Sequence, residues 1–354
     1  MAALKKEENE SMKKSVFEFG RSSVKLPMPA YISGSGSIAG SKESQGPIAD
    51  EIDCLSTDDK FGLDSWEAAE SYLQKEAVRI LLEKTATDKR EIRYLFAGDL
   101  LGQSIASSFG LLDYEIPHFG LYGACSTCGE SLSLGSMMIG TGLASKVVCV
   151  TSSHFASAEK EFRFPLEYGA QRPKSSTWTV TGSGAFLLSG ERTTAALAKI
   201  NKVTTGRIID LGVKDNSNMG CAMAPAAADT IRQHMEDFGC KPQEYDRIIT
   251  GDLGQVGSQA LYTLLEAKGL EIADRHMDCG TTIFDIEKQA VGSGGSGCGC
   301  AAVTLAAHIL PKIKSGEWKK VLFLPTGALL SKTSFNEGLA VPGIAHAVVM
   351  EHVE

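Results

Sequence analysis

A chain of 354 residues, 43% hydrophobic and 22% charged, has apolar mass for one large α/β core or two fused halves. Its net charge of −8 gives no positive footprint for a phosphate backbone, which excludes duplex nucleic acid as the main partner. No apolar run approaches the ~18 residues of a membrane-spanning helix, and the nine cysteines, an odd count without extracellular features, read as reduced thiols of a cytosolic protein.

Residues 1–14 are polar with no apolar stretch after them, unlike a secretory leader, and read as a solvated arm. From Ser15 onward strand and helix patterns alternate steadily. A helix is expected over Trp66–Lys84, then a strand, Arg93–Gly98, running into Asp99-Leu100. The small-residue turn Gly123-Ala124-Cys125-Ser126-Thr127 opens the next helix, and a strand over Lys146–Ser152 follows. Residues 154–174 read as a loop before a strand at Thr177, and Thr181-Gly182-Ser183-Gly184-Ala185 leads into a closing strand that ends at Ser189.

The second half repeats that order. A helix from Pro225 to Phe238 precedes a strand, Arg247–Thr250, that runs into Gly251-Asp252-Leu253. A small-residue turn near Cys298 opens a helix, a strand over Lys320–Leu324 follows, and His346–Met350 closes the half. Three matches in one order argue for duplication, with halves at 15–194 and 195–354. The strands are short and almost continuously apolar, as in a sheet buried on both faces. The expected architecture is therefore a five-layer α/β sandwich of two duplicated halves around two sheets. Ligands bind such a fold in the crevice outside the carboxyl ends of the strands.

Cys125 opens a helix where free backbone N–H groups and the positive dipole end converge, a setting that stabilises a thiolate or an oxyanion. Cys128 completes a C-x-x-C but falls one turn into the helix, where a cysteine packs as a small apolar residue. Cys298-Gly299-Cys300 and the Cys125 pair lie about 170 residues apart with no flanking histidine, a weak zinc pattern. The glycines of Gly292–Gly299 lack the endings of a phosphate-binding loop and read as sites of close helix–helix approach. Asp99 and Asp252, at matching strand ends, read as helix caps. His276 reads as a polar residue at a strand end. The segment 154–174 concentrates His154, Arg163, Tyr168, Gln171, Arg172 and Lys174 with Phe155 and Phe164, and binding groups gather on loops held by a rigid scaffold.

The duplicated halves, the Ala124-Cys125-Ser126 turn, Thr181–Ala185 and Pro325-Thr326-Gly327-Ala328 resemble the thiolase fold, most nearly the third type of β-ketoacyl-acyl-carrier-protein synthase. More narrowly, Gly123–Thr127, Thr151-Ser152-Ser153-His154, Glu167-Tyr168-Gly169, Met223–Ile231, Ser293–Cys298 and Thr326–Ser331 resemble the stage V sporulation protein AD family of spore-forming Bacilli. The resemblance covers about residues 17–353. Carried over residue by residue, the synthase nucleophile matches Cys125, but its histidine falls on Gly251-Asp252 and its asparagine on Gly295. Losing one such donor typically costs about 10²–10³ in rate, so condensation is not expected.

The resemblance implies a soluble, non-enzymatic protein that binds dipicolinic acid (pyridine-2,6-dicarboxylate). It implies membrane subunits as partners, a peripheral place on the cytoplasmic side of the spore inner membrane, and a homodimer formed near Phe119–Tyr122. No resident cofactor is implied, with calcium at most travelling with the acid. The alternative is an acyltransferase or other thioester-handling enzyme using Cys125. A planar dicarboxylate needs a flat apolar slot and carboxylate receptors. The candidate ligand-binding residues are Cys125, His154, Arg163, Tyr168, Gln171 and Arg172, with Cys125 acting by shape and weak S–H donation.

Overall fold

The computed structural model describes residues 17–162 and 172–354. The first half contributes strands β1 (Ser23–Ala39), β2 (Tyr94–Gly98), β3 (His118–Gly120), β4 (Lys146–Ser153) and β5 (Gly182–Ser189). Its helices are α1 (Trp66–Thr85), α2 (Ile105–Gly110), α3 (Thr127–Gly140) and α4 (Phe155–Phe162). The second half contributes β6 (Ala198–Thr204), α5 (Met219–Phe238), β7 (Arg247–Thr250), α6 (Gly254–Glu266), β8 (His276–Asp278), α7 (Cys298–Thr304), β9 (Lys320–Leu324) and β10 (Ala347–Glu351).

Sequence periodicity accounts for α1. Ala69, Leu73, Ala77 and Leu81 recur every four residues and are fully buried, and burying Leu73 and Leu81 stabilises the fold by about 1.5–3 kcal/mol each. Ser65 starts the helix by accepting from the Ala68 N–H at 3.1 Å, and Ala86 ends it in a left-handed conformation at φ 49°. The helix seats directly on β1 because Gly36 has no Cβ; one placed there would lie 2.5 Å from the Ala77 carbonyl oxygen.

Both halves repeat one strand order. In the first it is β1-β5-β4-β2-β3 and in the second β6-β10-β9-β7-β8. The pairings agree in sense too: β2 and β7 are parallel to both neighbours, while β5 and β10 are antiparallel to both of theirs. Helix α1 covers the outer face of the first half and α5 with α6 that of the second. Between them lie α3, touching β4 and also β10, and α7, touching β5 and β4. These are the five layers.

Three expectations are corrected. The two sheets are joined edge to edge, because β1 pairs with β5 along Tyr31–Ala39 and with β6 at Ser23–Lys25 and Ala30–Ile32. The shift at the Pro27 and Pro29 stretch lets one long strand serve both. Helix α5 begins six residues before Pro225, at Met219, where the Asn218 side chain accepts from the Cys221 N–H at 3.3 Å; the cap outweighs the interior proline. Residues 155–162, expected within a loop, form helix α4.

Candidate functional site

The carboxyl ends of β2, β4, β7 and β9 bring Asp99, His154, Asp252 and Thr326 to one side of the sheet. Cys125 enters the same region from the turn before α3, where Ala124 takes a positive φ of 50°. Gly251 lets the end of β7 abut that of β9, since a Cβ there would lie 3.0 Å from the Pro325 Cα. Asp252 follows and lies against the Cys125 thiol. Its carboxylate accepts from the Thr326 hydroxyl at 2.8 Å and the Gly297 N–H at 3.0 Å. It is therefore not the cap of α6. That role belongs to Asp278, which accepts from the Leu253 N–H at 2.9 Å and the Gly254 N–H at 3.0 Å. Asp99 does act locally as expected, accepting from Leu101 and Ser107.

The thiolate expected at the turn is overridden. Burial, followed by the Asp252 charge, pushes the Cys125 thiol well above its ordinary range, against the pull of the Gly297 N–H. Burial also raises the Asp252 carboxyl to about 7, although the Thr326 hydroxyl and the Gly297 N–H favour its charged form. The cavity over Cys125 holds only about 30 Å³, walled by Leu100, Ala158, Phe162, Met219 and Leu330. That is room for about two water molecules, and no basic side chain lines it among the described residues.

The sequence-derived candidates do not converge on this cavity. His154 is buried, its Nε2 2.8 Å from the Asp59 carbonyl oxygen and its Nδ1 accepting from the Ala156 N–H at 3.1 Å. Both ring nitrogens are engaged, and neither is left for a ligand. His276 is likewise held between Thr250 at 2.9 Å and the Tyr262 hydroxyl at 2.8 Å. Arg163, Tyr168 and Gln171 lie outside the described residues. Gly295, at the synthase asparagine position, pairs with Trp178 in a short parallel bridge.

Arg172 lies instead on a separate groove of about 1140 Å³ that also presents Trp66, Phe155, Lys174 and Trp178. The rings of Phe155 and Trp178 stack at 3.9 Å and 10°. The Arg172 guanidinium sits 5.1 and 5.0 Å from their centroids, donates to the Thr177 carbonyl at 3.1 Å and pairs with Glu159 at 2.7 Å. Lys42 lies 4.3 Å over the Trp178 ring. Helix α4 forms the wall between groove and cavity: Glu159 borders both, Ala158 and Phe162 face the cavity, and Phe155 faces the groove. Glu70 of α1 ties that wall to β4 by accepting from the Ser157 hydroxyl of α4 at 2.5 Å and the Ser152 hydroxyl of β4 at 3.1 Å.

Residues 20–351 match the family model described as Stage V sporulation protein AD (SpoVAD). This chain belongs to the stage V sporulation protein AD family. It is 41% identical over 323 residues to Stage V sporulation protein AD of Bacillus subtilis (strain 168), a match spanning 91% of this chain and 94% of that one. Among solved structures it is similar to 3-oxoacyl-[acyl-carrier-protein] synthase III from Aquifex aeolicus VF5, at 16% identity and a TM-score of 0.55 over 91% of this chain and 99% of that one. It is also similar to human mitochondrial 3-ketoacyl-CoA thiolase in complex with CoA, at 12% identity and a TM-score of 0.55 over 93% and 99%. These likenesses show the thiolase fold.

Within this SpoVAD chain, two features of the site escaped the sequence reading though a signal for one was present. Phe155, Ala158, Glu159 and Phe162 are spaced i, i+3, i+4 and i+7, which is helical. The contact between Asp252 and Cys125 had no such signal, because it joins residues 127 apart in sequence. The glycines of the 292–299 loop also have another cause than helix–helix approach. Gly297 adopts φ +98° with its Cβ position 2.5 Å from the Ser153 hydroxyl, and a Cβ on Gly299 would meet the Gly182 carbonyl at 2.4 Å. Among the described residues no group of three or more His, Cys, Asp or Glu side chains is placed to hold a metal ion.

Proposed function

We propose that this sporulation protein binds a planar aromatic dicarboxylate of the dipicolinic acid type in the groove beside α4, and does so without covalent chemistry. The observation that carries the reading is the stacked Phe155–Trp178 pair with the Arg172 guanidinium beside both rings. Aromatic faces accept a flat ring, and a guanidinium takes a carboxylate through two parallel N–H donors. Lys174 lies on the same groove and supplies a second cation. Among the described residues, the cavity over Cys125 offers neither the room nor a positive charge for a dianion. Calcium enters this reading only as a companion of the acid.

Titration calorimetry with dipicolinate, with and without calcium, tests the proposal. Saturable binding to one site per chain, with no mass added to the protein, is expected. Heats no larger than dilution in both conditions would refute it.

The same reading makes the protein a peripheral partner of membrane subunits on the cytoplasmic side of the spore inner membrane. No helix among the described residues is long and apolar enough to cross a bilayer, and docking on other subunits is the attachment this reading proposes. It also makes the protein a homodimer. Among the described residues strand β3 is bonded on one side only, to β2, and Phe109, Leu112 and Phe119 are exposed. Pairing β3 with its copy across a two-fold axis removes that edge. Light scattering at micromolar concentration is expected to give twice the chain mass, and Phe119→Asp about one; a monomeric wild-type protein would contradict this.

A further inference from the structure

The floor of the small cavity carries an arrangement that the proposed binding does not use. Asp252 is 1% exposed, fixed by the Thr326 hydroxyl and the Gly297 N–H, and lies against the Cys125 thiol. A base that activates a buried thiol leaves a positive charge beside the sulfur once it has taken the proton, as an imidazole does. A carboxylate cannot do this. Ionised, it opposes the thiolate with a like charge, and protonated it is neutral. The other titratable groups that face the pair are Cys298 and Tyr122 beside Cys125, and Asp278, Cys279 and Cys300 beside Asp252. All are acids, so among the described residues none supplies the missing cation.

Cys125 nonetheless borders the cavity, with 7% of the residue exposed, so a reagent no larger than the roughly two waters that fit there can approach it. We propose that Asp252 keeps Cys125 a thiol, and that the side chain at position 252 decides whether this cavity can form a covalent bond. The inference uses no groove residue and stands apart from dipicolinate binding.

Oxidation by hydrogen peroxide, a reagent small enough for the cavity, reads it directly. The Cys125 proton passes to buffer, the sulfur forms a bond to one peroxide oxygen, and hydroxide leaves with the electron pair of the broken oxygen–oxygen bond, so peroxide is reduced as the sulfur is oxidised and the peptide gains one oxygen. Rates are measured between pH 6 and 9.5 by peptide mass spectrometry for the wild type, Asp252→Asn and Asp252→His. Cys149 and Cys300, buried in the core, report folding in the same digests. The wild-type Cys125 is expected to react slowly up to the alkaline end. Asp252→Asn removes the like charge while leaving the burial, and should react about tenfold faster at pH 8. Asp252→His should react faster still, with its rise moved to lower pH. Each variant is compared with the wild type separately, so loss of folding in one leaves the other decisive. Equal Cys125 rates in a folded variant and the wild type, or a wild type that already reacts like an exposed thiol, would overturn the proposal.

Discussion

Replacing Arg172 by alanine is expected to weaken dipicolinate binding by about 1.5–3 kcal/mol, the usual worth of a hydrogen bond to a charged group. That is a loss of roughly 10- to 150-fold in affinity. Arg172 is the group that joins the aromatic stack to a carboxylate receptor, since it lies about 5 Å from both ring centroids and is 16% exposed. The wild-type side chain is held by Glu159, so a ligand carboxylate competes with an internal one and gains only the difference. Arg172→Lys keeps the charge but loses the planar fork, and should fall between wild type and alanine. Cys125→Ala, on the far side of α4, should leave affinity within about 0.5 kcal/mol, as a substitution distant from the contact does. The comparison is read by calorimetry on variants with unchanged melting temperature. Unaltered affinity in Arg172→Ala together with loss in Cys125→Ala would place the ligand in the small cavity and refute the groove.

The second large effect is on stability. Asp278→Ala should cost about 3 kcal/mol or more, because each buried donor left without a partner costs about 1–3 kcal/mol. Asp278 is 3% exposed and accepts from the Thr250 hydroxyl at 2.6 Å, the Leu253 and Gly254 N–H groups at 2.9 and 3.0 Å, and the Thr281 N–H at 3.3 Å. It thereby ties β7, the first turn of α6 and the short helix Cys279–Ile283, which it caps, to one carboxylate. Asp278→Asn retains one acceptor and should lose less. Urea unfolding midpoints measure the difference, and an alanine variant within 1 kcal/mol of wild type would show that water replaces these bonds.

The order of the strands was legible because each half carries its own local signals. Lys146–Ser152 and Lys320–Leu324 are apolar runs that no polar face interrupts, and the matching turns at Cys125 and Cys298 fix which strand precedes which helix. Their burial on both faces follows from composition alone. The joining of the two sheets was not legible, since it depends on β1 bending at Pro27 and Pro29 to meet a strand more than 160 residues away. The site divided along the same line. Arg172 and Phe155 were visible as a basic and an aromatic residue in one segment, but Trp178 and Lys42 join them only through the parallel Trp178–Gly295 pairing and the position of residues 40–46. His154 was misread for a physical reason. A histidine at a strand end meets a ligand only when its ring is unsatisfied, and the Asp59 carbonyl and the Ala156 N–H satisfy both nitrogens of this one.

A crystal structure of the protein grown with dipicolinate tests the account most directly. It is expected to show the pyridine ring against Phe155, Trp178 or Trp66, a carboxylate on the Arg172 guanidinium, and an unmodified Cys125 still beside Asp252. Ligand density over Cys125, or a groove left empty at saturating dipicolinate, would contradict it.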